Sequence, residues 1–297
     1  MKFAAIDVGS NAVRLLLAKV EEESVRPVYE KVALFRMPIR LGEDAFPHKR
    51  ISEEKTQQLV KTMVGFKYLM DAFEPADYMA CATSAMREAS NNREIVDLIN
   101  RESGIDLSII SGKREAEIIY YNHVERLAEN ENNLCHMYVD VGGGSTEILV
   151  FDDNKIMESR SFDIGSIRIH EGLVTRREWE DMKLWVKHVS SRYHPISAVG
   201  SGGNINFLFS VSKTKEGTPL EYGKLKKLHT YIRSFPIEQR ISELGIRPDR
   251  ADVIVPAAKI YLSVMKWSEI SEMFVPQMGL ADGIIHVLYS KHKQTFV

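Results

Sequence analysis

At 297 residues the chain is long enough for two domains of about 100 to 150 residues, each able to bury its own core. A formal net charge of -2 with a pI near 6.5 provides no global attraction to a polyanion, which argues against nucleic-acid binding. Hydrophobic residues make up 44% and charged residues 27%, as in ordinary folded proteins, and no apolar run approaches the roughly 18 residues of a membrane span.

The two cysteines and the start of the chain indicate a cellular compartment. Cys81 and Cys135 lie far apart within apolar segments, which is typical of buried thiols in a reducing compartment. Asp7 follows only a few apolar residues, so we expect no secretory or membrane segment there. The nine histidines show none of the spacings of zinc sites. We therefore predict a cytoplasmic protein without a membrane or nucleic-acid partner.

A repeated segment organises the chain. Residues 3–11 contain an apolar strand that ends in Asp7-Val-Gly, and residues 136–144 repeat the pattern with Asp140-Val-Gly. After each glycine turn the chain becomes apolar again, which predicts the second strand of a hairpin. The sequence therefore predicts two equivalent α/β lobes.

Between the two repeats, strand and helix patterns alternate. A helix begins at Ser52, whose side chain suits the N-cap position, and ends before Pro75. Apolar strands over residues 78–82 and 107–110 each lead into a helix, from about residue 84 and about residue 113 respectively. This alternation is typical of an α/β lobe.

After the second repeat the pattern becomes mainly helical. The segment Thr175-Arg-Arg-Glu178 is a capping box, which predicts the start of a helix. A third glycine turn over residues 200–203 follows a short apolar strand and precedes a helix, an arrangement that presents backbone N–H groups to anions. The tail predicts a helix over 250–266, a short strand over 273–276 and a closing helix over 280–290.

Two of the glycine turns directly follow an acidic residue at the end of a strand. Glycine lets backbone amides approach phosphate oxygens closely, and a neighbouring carboxylate can hold a hydrated cation. Either turn alone could be a plain β-hairpin, but duplication with the acid retained favours phosphate and metal binding. The expected phosphate-binding residues are Gly9, Ser10, Asn11, Gly142, Gly143, Gly144, Ser145 and Gly202.

Five segments spread over nearly the whole chain match one known family in order and residue type. They read Ala5-Ile-Asp-Val-Gly-Ser-Asn11, Ala82-Thr-Ser-Ala-Met-Arg-Glu-Ala89, Ile110-Ser-Gly112 with Glu115-Ala116, Val139-Asp-Val-Gly-Gly-Gly-Ser-Thr-Glu147 and, more weakly, Arg250-Ala-Asp-Val-Ile254. In these segments the chain resembles the Ppx/GppA family of exopolyphosphatases and guanosine pentaphosphate phosphohydrolases. The resemblance implies an α/β fold of acetate-kinase/actin/Hsp70-like architecture, with two RNase H-like lobes flanking a cleft. We expect the lobes at residues 1–125 and 126–297.

The resemblance also implies an activity: magnesium-dependent release of the terminal phosphate from polyphosphate, with short chains preferred, or from pppGpp. Glu115 matches the family glutamate that positions or deprotonates the attacking water, and Arg87 matches an arginine that grips the transferred phosphoryl group. Asp140 and Glu147 match the magnesium-side acids, with Asp7 opposite them across the cleft. From the residues alone, a helix-capping acid is the favoured interpretation of Glu115, and Arg87 and Glu147 could be ordinary exposed side chains.

Several departures from the family pattern bear on the substrate. The chain has Ala12, Arg114, Asn204 and Ala281 where family members often carry serine, an acid, threonine and arginine. The chain also ends where longer relatives continue into a helical domain, and that domain is associated with long polyphosphate. These features favour short chains or a nucleotide, and they leave open a non-catalytic (p)ppGpp- or phosphate-binding sensor of the same fold. A sugar or acetate kinase would need an acceptor site with its own base.

The basic residues expected beside the substrate are few. They are Arg14, Arg40, Arg87 and Arg168, enough to neutralise a short chain or the phosphates of a nucleotide. A homodimer that joined two clefts would extend this basic track, and that alternative is left open.

Overall fold

The computed structural model describes residues 1–22, 27–127, 135–152, 155–195 and 197–295. The chain forms two compact units. Unit 1 consists of Met1–His123 together with Leu280–Val297, and unit 2 consists of Val124–Gly279. Each unit is built around its own β-sheet.

The strands of the described residues alternate with helices after each opening hairpin. In chain order the strands are β1 (Lys2–Val8), β2 (Val13–Glu22), β3 (Pro27–Met37), β4 (Asp77–Ala82), β5 (Leu107–Ile109), β6 (His136–Val141), β7 (Thr146–Asp152), β8 (Lys155–Phe162), β9 (Ser197–Ser201), β10 (Leu220–Glu221) and β11 (Glu272–Phe274). The helices are α1 (Gly42–His48), α2 (Glu53–Phe73), α3 (Ser84–Glu88), α4 (Asn92–Ser103), α5 (Gly112–Leu127), α6 (Ser166–His170), α7 (Arg176–Tyr193), α8 (Gly203–Val211), α9 (Tyr222–Arg233), α10 (Ile237–Ser242), α11 (Pro248–Ala251), α12 (Ile254–Ser268) and α13 (Leu280–Thr295).

The sheet of unit 1 has the strand order β3-β2-β1-β4-β5. Strand β2 runs antiparallel to β1, whereas β4 runs parallel to β1 and β5 parallel to β4. The central strand β1 is buried from Phe3 to Val8, as expected for a strand covered on both faces. Helix α2 begins and ends as predicted, with Ser52 accepting from the backbone N–H of Lys55 and Glu74 in a left-handed conformation before Pro75.

The sheet of unit 2 has the order β10-β11-β9-β6-β7-β8. Read from the other edge, β8-β7-β6-β9-β11 repeats the order and strand directions of β3-β2-β1-β4-β5 in unit 1, with β10 added at the edge. The repeat of strand, glycine turn and second strand is therefore confirmed as a repeat of sheet topology. The predicted fold of two RNase H-like α/β lobes is confirmed as well.

Helices α7 and α12 pack over the core of unit 2. The capping box predicted at Thr175 is present, with Glu178 as its reciprocal partner. Tyr261 of α12 donates its hydroxyl proton to the carbonyl of Ser201 at 2.5 Å and accepts from the backbone N–H of Val141 at 3.3 Å. Burial raises the pKa of Tyr261 well above its ordinary value, so it stays a neutral donor. These bonds tie α12 to the ends of β6 and β9.

The closing helix α13 belongs to unit 1, in contrast to the expected division at residues 125 and 126. Its apolar residues Ile284, Ile285 and Leu288 are buried, and the ring of His292 meets that of Phe3 edge to face. A Cβ added to Gly283 would lie 2.2 Å from the carbonyl oxygen of Ile118, so the two backbones approach closely there. Because α13 comes last in the chain, we expect it in the second lobe. Its apolar face instead packs against β1 and approaches α5.

None of the helices in the described part of the chain has both the length and the apolar character needed to cross a membrane.

Both cysteines are buried free thiols with raised pKa values. Burial, reinforced by the Asp7 carboxylate, raises the pKa of Cys81 to about 12, and burial raises that of Cys135 to about 11. We expect neither thiol to react with Ellman's reagent at pH 8 until the protein is unfolded. Because the native state holds these protons more tightly, the free energy of unfolding should fall as pH rises from about 8.5 through these values.

Denaturant titrations at pH 8 and pH 10, run beside the thiol assay, check both expectations. Rapid modification of either thiol in the native protein would contradict the buried, protonated state.

Candidate active site

The first glycine turn joins β1 to β2 in unit 1. The backbone N–H of Gly9 donates to the carbonyl of Ala12 at 3.1 Å, which closes the turn. The hydroxyl of Ser10 is hydrogen-bonded to that of Ser84, the first residue of α3, at 2.8 Å. The carbonyl of Asn11 accepts from the N–H of Arg40 at 3.1 Å. The turn is thus fixed between α3 and the segment before α1.

Arg87 and Glu115 form an ion pair within unit 1. Arg87 of α3 donates from Nη1 to the carbonyl of Ile110 at 2.9 Å and to Oε2 of Glu115 at 3.4 Å. Glu115 lies in the first turn of α5 and is 9% exposed. Arg87 is therefore not simply a solvated helix residue, and the catalytic roles of Arg87 and Glu115 stay predictions. The backbone contact of Arg87 fixes the guanidinium, which in turn orients the carboxylate.

Two of the expected substrate-binding cations are already engaged with carboxylates. Arg14 donates to Oδ2 of Asp7 at 2.6 Å, and Nε of Arg40 lies 2.6 Å from Oε1 of Glu43. Asp7, predicted as a metal ligand, is therefore paired with an arginine of its own sheet. Its role toward a metal remains a prediction.

The second repeat holds two acids side by side in unit 2. Asp140 on β6 lies directly opposite Glu147 on β7, so their side chains share one face of the sheet. Glu147 is 1% exposed and accepts from the hydroxyl of Ser161 at 2.8 Å. Like charges at opposite positions repel, and a cation between them would remove that repulsion. Carboxylate oxygens are also the ligands that magnesium prefers, so these two acids could hold a metal.

The two repeats differ in the residue that lies opposite the acid. Asp7 faces Arg14 across the β1–β2 hairpin, whereas Asp140 faces Glu147 across the β6–β7 hairpin. The spacing of seven residues is the same in both segments. Across its hairpin, unit 1 therefore places a base opposite the acid, whereas unit 2 places a second acid there.

The glycine turn of unit 2 has its carbonyl groups held on one side. The carbonyl of Gly142 accepts from the N–H and the hydroxyl of Ser166, that of Gly143 from the N–H of Ile167, and that of Gly144 from Nε of Arg168. The N–H of a trans peptide points opposite to its carbonyl, and no cis bond is present in the described residues. The N–H groups of residues 143, 144 and 145 therefore point away from α6, as in an anion-binding nest.

Two further glycines keep this region free of side chains. A Cβ on Gly165, the N-cap of α6, would lie 2.3 Å from the carbonyl oxygen of Gly143. Gly202 has a φ of 96°, and a Cβ there would lie 2.6 Å from Oδ1 of Asp140. The third glycine turn thus approaches the Asp140 carboxylate, which agrees with the grouping of these residues into one site in unit 2.

The sequence does not predict that the segment from Gly165 to Arg168 supports the turn, and it suggests Arg168 as a cation facing the substrate. The structure shows Arg168 7% exposed and directed at the turn backbone, so that assignment is wrong. Ser84 and Ser161, which bond to Ser10 and Glu147, were also missed. Gly165 was the available signal for this segment, since no hairpin requires a glycine at that position.

Comparison with known proteins decides the family. The sequence profile of the Ppx/GppA phosphatase family matches residues 24–292. The chain belongs to the Ppx/GppA phosphatase family. The resemblance carried by the five segments is thereby confirmed, and the two-unit fold is the fold of this family.

Individual members of the Ppx/GppA family differ in length and in similarity to the chain. A bifunctional 3-dehydroquinate synthase/phosphatase of Fusobacterium nucleatum is 31% identical over 287 residues, which are 89% of this chain but 43% of that protein. A putative exopolyphosphatase of Haemophilus influenzae is 24% identical over 302 residues, covering 97% of this chain and 91% of the relative. The crystal structure of the Aquifex aeolicus family member is 25% identical, covers 98% of both chains and has a TM-score of 0.77.

Proposed function

We propose that the chain is a cytoplasmic phosphohydrolase that releases the terminal phosphate of inorganic polyphosphate or of pppGpp, with magnesium as cofactor. The observation that carries this proposal is the glycine turn of unit 2, which directs three consecutive N–H groups to one side next to the buried pair Asp140 and Glu147. N–H groups bind phosphate oxygens, and the acids suit the cation that accompanies a phosphate chain. Free cysteines agree with a reducing compartment.

Asp140 and Glu147 are the residues that would hold magnesium. Their oxygens are hard ligands on one face of the sheet, and Gly202 leaves room beside Asp140. Magnesium bound there would offset the negative charge of phosphate oxygens. Asp7, which is already paired with Arg14, is the weaker candidate for the metal and would act through the orientation of the first turn.

Glu115 and Arg87 are the proposed catalytic residues. A carboxylate that is nearly buried and oriented by an arginine suits the activation of a water molecule, provided that it reaches the attacked phosphate. The guanidinium retains further N–H groups with which to stabilise charge on the transferred phosphoryl group. The name of the Haemophilus influenzae relative supports polyphosphate as substrate. A guanosine nucleotide is supported by the name of a 22% identical relative from Vibrio parahaemolyticus, a guanosine-5'-triphosphate,3'-diphosphate pyrophosphatase.

A phosphate-release assay tests the proposal directly. Purified protein is incubated with magnesium and with polyphosphates of several defined lengths, pppGpp or ATP. Release from polyphosphate or pppGpp at a rate well above that from ATP would support the proposal. Tight binding of these ligands without release would instead indicate the non-catalytic sensor.

We expect the catalytic efficiency per chain end to stop improving beyond about ten phosphates. Arg14 and Arg40 are paired with carboxylates, and Arg168 is buried, so few expected cations remain for distant phosphates. Additional units would lie in solvent, where screening limits attraction to about 10 Å. A steady-state series of defined-length polyphosphates at fixed magnesium and salt measures this dependence.

The oligomeric state is measured alongside, because a homodimer could join two binding tracks into a longer one. Efficiency that still rises steeply to hundreds of units would show that the expected short track is wrong.

A further inference from the structure

Arg168 has the features of a structural clamp on the phosphate-binding turn. It lies in α6 and is 7% exposed, and its Nε donates to the carbonyl of Gly144 at 2.7 Å. Nη2 of its guanidinium lies 3.9 Å from a carboxylate oxygen of Asp163, whose side chain is 74% exposed. The guanidinium therefore bonds to the backbone of the turn and brings a positive charge close to it.

The three carbonyls of the turn are held by different kinds of donor. Backbone N–H groups of Ser166 and Ile167 hold the carbonyls of Gly142 and Gly143. The carbonyl of Gly144 accepts instead from a side chain, that of Arg168. The peptide between Gly144 and Ser145 is consequently the one whose orientation depends on a single side chain.

That peptide can also turn over, because it follows a glycine. Gly144 has no Cβ, so rotation about its backbone costs little in steric terms. If the peptide turned over, the carbonyl of Gly144 would take the place of the Ser145 N–H and present an oxygen to the anion. A hydrogen bond from a charged donor to this carbonyl opposes such rotation.

We propose that Arg168 is a positioning residue that fixes the Gly144–Ser145 peptide so that the N–H of Ser145 donates to a phosphate oxygen. The inference rests on the proposed function and adds to it the residue that prepares the turn for binding. Arg168 itself does not touch the phosphate. Its loss weakens phosphate binding by removing one donor and introducing a repelling oxygen.

Arg240 provides a matched control in the same unit. It is 9% exposed and donates to the carbonyls of Ile232, Phe235 and Ala251, at 3.1, 2.9 and 2.8 Å. Both arginines are thus buried clamps on backbone carbonyls, but Arg240 bonds to no residue of the turn. Arg240→Ala should destabilise the fold without changing the turn.

The experiment compares wild type, Arg168→Ala, Arg168→Lys and Arg240→Ala. The Kd of inorganic phosphate is measured with magnesium present, the amide signals of residues 143–145 are followed by NMR during the titration, and thermal stability is recorded. We expect Arg168→Ala to weaken phosphate binding at least roughly tenfold and to abolish the response of the Ser145 amide, while that of Gly143 persists. Arg240→Ala should bind phosphate within about twofold of wild type.

Added guanidinium ion should restore part of the lost affinity of Arg168→Ala and have no such effect on Arg240→Ala. The inference would be overturned if Arg168→Ala bound phosphate with wild-type affinity. Equal losses of affinity in both alanine variants would also overturn it, because they would show an effect on fold stability alone. If Arg168→Ala does not fold, Arg168→Lys decides: affinity at least about threefold below wild type supports the inference, and unchanged affinity overturns it.

The wild-type protein separates this inference from the proposed function. If the NMR signal of the Ser145 amide responds to phosphate but no phosphate is released from polyphosphate or pppGpp, the proposed function is contradicted and the positioning role is supported. If the protein turns over substrate but that amide signal does not respond to phosphate, only the positioning role is contradicted.

Discussion

Replacing Glu115 by glutamine is expected to lower the turnover number by roughly two to four decades, the usual scale for a lost general base. Glutamine keeps the shape of the side chain and an oxygen that can accept from Arg87, so the fold and ligand binding should persist. It cannot take a proton from water. Initial rates of phosphate release, measured with substrate affinity and thermal stability, separate these effects.

Glu117→Gln is the matched control, because Glu117 lies two residues further along α5 and pairs with Arg114 at 3.2 Å. Its rate should stay within about twofold of wild type, since surface substitutions usually have small effects. Activity of Glu115→Gln within threefold of wild type would remove Glu115 from the mechanism.

Asp140→Ala is expected to reduce magnesium-dependent turnover to the background rate. The substitution removes one of two opposed carboxylates, and Glu147 alone offers a poorer site for a hydrated cation. Thermal unfolding with and without magnesium tests this separately from activity.

Wild type should gain stability with added magnesium through preferential binding to the folded state, and Asp140→Ala should gain much less. Asp181→Ala serves as control, since Asp181 is an exposed acid of the same unit, paired with Arg160. An unchanged magnesium response in Asp140→Ala, or turnover in wild type that needs no divalent metal, would count decisively against the role of Asp140.

Local signals in the sequence predicted most of the elements correctly. Ser52 and Pro75 bracket α2, the Thr175 capping box begins α7, and the repeated Asp-Val-Gly marks two equivalent hairpins. These signals work because caps, glycine turns and apolar alternation are properties of neighbouring residues. The placement of α13 depended on which sheet its apolar face fits, which is a property of distant residues.

The candidate site was predicted unevenly for the same reason. The glycine turns and acids follow directly from strand ends, but the partner of each acid lies across a hairpin. Arg14 opposite Asp7 and Glu147 opposite Asp140 share one spacing, yet only the register shows that one pair attracts and the other repels. Arg168 was misjudged because its sequence position does not reveal that its guanidinium points at the backbone of Gly144.

The position of α13 has a consequence for the order in which the chain folds during synthesis. Unit 2 is continuous, whereas unit 1 needs Leu280–Val297 to cover β1 and α5. The first 123 residues therefore leave the ribosome without a helix that buries Phe3 and closes over Ile118. Although domains generally fold in the order of their synthesis, we expect unit 2 to reach its native packing first here. The nascent unit 1 would then expose one face of its sheet until α13 has been synthesised. We expect chaperones to bind this exposed apolar surface.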